Sequence, residues 1–202
     1  MTDVDHALAE LTAIRLQMAA STRFRGFAPS IVAATGVLAL AGAAAQSSWP
    51  AALASGPVAF AGFWSVIGVA AGGMIAVEAL GRSYRLHGVL ADVMVGGTMR
   101  LFLPFGVAGA LITLVFMRAA PEACRLLPGL WQMLIALLGF TAASTSLPRS
   151  LIWGAGWYLA CATVVLLLAA SQDGLSPWLM GVPFGGGQLL IAWLLHRAAE
   201  QD

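Results

Sequence analysis

The chain has 202 residues, of which 60% are hydrophobic and only 9% charged, with a formal net charge of +1. A soluble domain carries about 25% charged residues, so this composition excludes an ordinary water-soluble fold. A charge so near zero gives no basis for nucleic acid as a partner.

The first segment, 3–20, is amphipathic. Val4, Ala7, Leu11, Ile14 and Met18 recur at three- and four-residue spacing and line one stripe of a helix. Thr2 with Asp5 resembles a capping box, and the early acidic residues suit the helix dipole. Residues 1–26 therefore read as a cytoplasmic helix, lying on a surface or docking on a partner protein. Arg23, Arg25 and the Ala43-Ala44-Ala45 triplet mimic a signal peptide. The long leading segment with Asp3, Asp5 and Glu10 argues instead for a retained first membrane helix.

Six apolar runs follow, at about 28–46, 57–80, 101–118, 127–146, 150–170 and 177–196. A spanning helix takes about 20 apolar residues, and lipid admits only helices or closed barrels. The expectation is an all-α, six-helix membrane bundle over 27–197 with a short tail at 198–202. Eight arginines (Arg15, Arg23, Arg25, Arg82, Arg85, Arg100, Arg149, Arg197) fall on the side of the N-terminus. Arg118 and Arg125 fall on the other. By the positive-inside rule both termini are cytoplasmic. Trp49, Trp131 and Trp178 fall near the outer boundary. Between the second and third runs, 82–97 repeats the amphipathic pattern through Leu86, Val89, Leu90, Val93 and Met94. It reads as an interfacial helix ended by Gly96-Gly97.

Polar residues inside spans are the first place to look for function. Glu78 lies four residues before Arg82, a favourable ion-pair spacing. Gln132 sits in the fourth run. Gln188 follows Pro183 and Gly185-Gly186-Gly187, a stretch that weakens a helix and frees carbonyls. Gln188 either binds a ligand or satisfies those carbonyls. Thr113, Thr141 and Ser144 are expected to bond back to their own helix. Gly68/Gly72 and Gly181/Gly185 have the small-x-x-x-small spacing of close helix packing, internal or between copies. Cys124 and Cys161 read as free thiols at different depths. His6, His87 and His196 fall at element ends, and nothing in the chain points to a metal or cofactor.

The halves are faintly alike. Pro29…Ala44-Ala45-x-Ser47-Ser48-x-Pro50 resembles Pro128…Ala142-Ala143-x-Thr145-Ser146-x-Pro148. Pro104-Phe105-Gly106 recurs as Pro183-Phe184-Gly185. Three spans per half would make an inverted repeat. In transporters of that plan, broken helices at equivalent positions mark the binding site; here these are Pro104 and Pro183.

Ile14-Arg15-x-x-Met18-x-x-Ser21-Thr22-Arg23-Phe24, Pro104-x-x-x-Ala108-Gly109-Ala110-Leu111-x-Thr113, Leu126-Leu127-Pro128-Gly129-Leu130-Trp131 and Pro183-Phe184-Gly185-Gly186-Gly187-Gln188 carry a family likeness. With them the chain resembles an uncharacterised family of small six-span bacterial inner-membrane proteins, some encoded beside winged-helix regulators. The resemblance implies the fold and no activity. The family pattern has a histidine where this chain has Gln188.

Two functions are expected from these features. The first is a non-enzymatic membrane protein acting through protein contacts, as an accessory subunit or membrane-side regulator, with residues 3–20 and 82–97 as its contact surface. The second is a small transporter or binding protein for a neutral or apolar solute, with its site near Pro104, Gln132, Pro183 and Gln188. Its surroundings would be lipid and another membrane or cytoplasmic protein, with a homo-oligomer also open.

Overall fold

A computed structural model describes residues 11, 12, 14, 28–50, 55–87, 91–145, 149–170 and 175–200. The described residues are almost entirely helical. α1 is Pro29–Ser48, α2 Pro57–His87, α3 Ala91–Ala119, α4 Leu127–Thr145, α5 Ile152–Ala170 and α6 Trp178–Glu200. Short 3-10 turns at Pro121–Leu126 and Arg149–Leu151 lead into α4 and α5. Each of the six is long and apolar enough to cross a membrane.

Local chemistry sets the helix starts. Ala28 is extended (φ −83°, ψ 123°) and Pro29 takes the first helical position, where its missing N–H costs nothing. Gly56, at φ +150°, turns the chain into Pro57, and its carbonyl accepts the Phe60 N–H at 3.0 Å. That backbone conformation is essentially confined to glycine.

The interfacial helix expected at 82–97 is absent as a separate element. α2 runs on to His87, and α3 already begins at Ala91 and continues through Gly96-Gly97. Glycine costs a helix only about 1 kcal/mol against alanine, so Gly96-Gly97 does not stop α3. In the first segment, Leu11 and Ile14 are helical and about half exposed. Val4, Ala7 and Met18 lie outside the described residues.

Neighbouring helices run antiparallel, as specific contacts along them show. Gln46 meets Trp64, Gly62 faces Met117, Thr113 meets Trp131, Gly139 faces Ala155 and Gly154 faces Ile191. The closest packing is between α1 and α6 and between α4 and α5. Glycine makes it possible. A Cβ on Gly185 would stand 2.6 Å from Leu40 Cγ, and one on Gly129 2.5 Å from Leu166 Cγ. Gly181 lies directly against Ala43. Small residues at such seams let backbones approach in lipid, where hydrophobicity alone drives nothing together.

α2 and α3 behave differently. They join the others at one end. There Phe60 and Trp64 pack with Ala39, Ala43 and Met180. Ala61 packs with Cys124 and Leu127, flanked by Ile112 and Phe116. Beyond it, no residue from 66 to 78 or from 95 to 119 is buried. Gly68, Gly72, Gly73, Gly96, Gly97 and Gly106 all look onto open space. Ala79 and Ser83 are buried again near the end of α2.

Candidate functional site

The chemistry concentrates where α6 is broken. Pro183 has no N–H for the carbonyl four residues earlier. That carbonyl belongs to Leu179, and the Gln132 side chain on α4 donates its Nε2 N–H to it at 3.0 Å. Gln132 is fully buried. Its amide replaces the bond that the proline removes. The oxygen of this amide, Oε1, has no donor among the described residues.

The following carbonyls are engaged from α5. Trp157 donates its indole N–H to Pro183 O at 3.0 Å, and the Tyr158 hydroxyl donates to Phe184 O at 3.4 Å. The rings of Tyr158 and Phe184 meet edge to face, 5.7 Å between centroids. Both α5 side chains reach the α6 backbone because glycines face them. A Cβ on Gly186 would lie 2.9 Å from Trp157 Cζ2, and one on Gly187 2.5 Å from Tyr158 Cζ. The Gln188 Cβ would be 3.1 Å from a Cβ on Gly36. Three of the expected residues, Gln132, Pro183 and Gln188, are thus brought into one region, where their partners are backbone and side chains of this chain.

Pro104 stands apart. It is exposed on α3, which does not pack closely against α6. The equivalence of Pro104 and Pro183 in sequence is not an equivalence of position. Glu78 is engaged as well, but its partner is Arg85, whose Nη2 lies 3.4 Å from Oε1. That corrects the pairing expected with Arg82. Residues seven apart lie two turns along the same face of a helix, and the long arginine folds back along it. The Arg82 Nε is buried without a hydrogen-bond partner among the described residues.

A second polar contact escaped the sequence reading. Gln46 is fully buried in α1 and accepts the Trp64 indole N–H at 2.8 Å. The Trp131 indole donates to Thr113 Oγ1 at 2.9 Å, and that hydroxyl donates to Gly109 O at 2.7 Å. Both pairs are 18 residues apart, tying the end of one helix to the start of the next. A polar residue late in one apolar run and a tryptophan early in the next was the available signal. Thr141 and Ser144 bond back to Leu137 O and Thr141 O. Cys124 and Cys161 are free thiols.

Among the described residues, no group of His, Cys, Asp and Glu is placed to hold a metal ion. No protein-family model, curated protein or solved structure matches the chain.

Proposed function

We propose that this chain is a non-enzymatic multi-pass membrane protein that works through contact with another protein, as an accessory subunit or membrane-side regulator. One observation carries the reading: most of the glycines of α2 and α3 have nothing against them, the exceptions being Gly62, Gly81 and Gly109. In α1, α4, α5 and α6 every described glycine but Gly156 meets a neighbouring helix within 4 Å. Gly68, Gly72 and Gly73 on α2, and Gly96, Gly97 and Gly106 on α3, meet nothing. A face of small residues is what a second transmembrane helix packs against, and here that face points away from the chain's own bundle. Leu11 and Ile14, outside the spans, are exposed as well.

The arginine distribution supports cytoplasmic termini. The resemblance to small six-span bacterial proteins supports a bacterial inner membrane. The reading does not draw on a three-plus-three duplication. That plan makes α1 and α6 equivalent to α4 and α3, yet the first pair packs closely and the second lightly.

The test replaces Gly68 and Gly72 together with leucine. Nothing lies within 4 Å of either position, so the isolated bundle keeps its melting temperature while co-purification of the partner in mild detergent is lost. An unchanged set of co-purifying proteins refutes the contact face. A solute-binding reading draws on one observation, the donor-less Oε1 of buried Gln132. A saturable tryptophan-fluorescence response to small hydroxyl or amide solutes, abolished in Gln132→Leu, would favour it instead.

A further inference from the structure

α5 and α6 meet in a register fixed by small residues. Gly187 faces Tyr158, Gly186 faces Trp157 and Gly154 faces Ile191. Leu151 packs with Leu194 further along. Each step toward the start of α5 is therefore a step toward the end of α6. Trp153 precedes Trp157 by four residues, and Arg149 stands in the 3-10 turn that leads into α5. From Gly186, Leu189, Trp193 and Arg197 follow at intervals of three and four. Residues so spaced share a helix face, so the two rows flank one groove that opens toward the end of the bundle.

The groove is aromatic along its walls and basic at its mouth. Trp153 is 72% exposed and Trp193 50%. The Arg197 guanidinium lies 4.7 Å from the Trp193 ring centroid, a cation–π contact that holds the charge over the mouth. Arg149 and Arg197 are both exposed, and no carboxylate among the described residues pairs with either. Both sit where the apolar stretches of their helices terminate, which is the depth of lipid headgroups.

We propose that this groove is a binding site for an anionic phospholipid, its phosphate held between Arg149 and Arg197 and one acyl chain lying along Trp153, Trp193 and Trp157. Arginine forks match phosphate oxygens in pairs, and tryptophan is at home between headgroup and hydrocarbon. Two cations that pair with no carboxylate among the described residues favour a lipid of net negative charge over phosphatidylcholine, whose choline adds a third positive group.

Native mass spectrometry of the full chain in mild detergent, given equimolar phosphatidylglycerol and phosphatidylcholine, tests this. Phosphatidylglycerol is expected to remain bound preferentially. Arg149→Gln or Arg197→Gln weakens retention about fivefold and the double substitution about thirtyfold, the weight of surface arginines toward anionic lipid. Trp193→Leu weakens it through loss of the stacked Arg197. Arg82→Gln, away from the groove, leaves it unchanged, and excess inorganic phosphate does not displace the lipid. Circular dichroism confirms that each variant is folded, as expected for the exposed side chains Arg149, Arg197 and Trp193. Equal retention of the two lipids, equal sensitivity to Arg82→Gln, or displacement by phosphate alone would overturn the site.

Discussion

Replacing Gln132 with leucine removes the one donor that the structure supplies to the Leu179 carbonyl, whose helical donor Pro183 has eliminated. A neutral hydrogen bond contributes about 1 kcal/mol net, and stranding a buried carbonyl costs about 1–3 kcal/mol. Between membrane helices the measured average is lower, about 0.6 kcal/mol. Removing Oε1, which has no donor of its own, offsets part of the loss. The expected net destabilisation is about 1 kcal/mol. In a Pro183→Ala background residue 183 regains its N–H, the Leu179 carbonyl is satisfied within α6, and the same Gln132→Leu change costs nothing. The coupling free energy is therefore about 1 kcal/mol, above the 0.3–0.5 kcal/mol within which independent sites add. Unfolding the four proteins of this cycle in mixed detergent and dodecyl sulfate micelles, followed by far-ultraviolet circular dichroism, measures it. Additive effects would refute the idea that Gln132 exists to repair the proline break.

Gly187→Ala places a methyl 2.5 Å from the Tyr158 ring and should destabilise the bundle by about 1–3 kcal/mol through overpacking. Gly156→Ala, with open space at its Cβ, should leave the same unfolding curve unchanged or slightly raised. Trp64→Phe keeps the ring contact with Phe63 but removes the indole donor to the buried Gln46 oxygen, at an expected cost of about 1 kcal/mol in the same assay. Gly56→Ala forces a side chain onto φ +150° and should cost about 1–3 kcal/mol.

The six helices were legible because lipid imposes one requirement, an apolar run of sufficient length, and every run meets it. The prolongation of α2 and α3 was not legible. Leu86 and Val93 follow helical spacing in the sequence whether one helix holds both or, as here, each belongs to a different one. Gly96-Gly97 looked like a stop, but a helix absorbs glycine at modest cost. The broken stretch of α6 was recognised from Pro183 and its three glycines, and Gln132 and Gln188 were singled out separately. Their connection was hidden because Gln132 and Leu179 are 47 residues apart, and no local pattern encodes that juxtaposition. Pro104 was grouped with them by repetition of sequence, which carries no information about which helix ends up central. The substitution of Arg85 for Arg82 as the partner of Glu78 reflects side-chain reach, which intervals of three and four residues do not capture.

The claim that α2 and α3 present a face to another protein is tested most directly by photo-cross-linking in native membranes. Photoreactive residues would replace Val69, Val77, Leu103 and Leu111 on the open face, and Val164 and Leu167 on α5 as exposed controls. A discrete cross-linked protein band from the first four positions, absent from the two controls, is the predicted result. Cross-linking to lipid alone at all six positions would contradict the account.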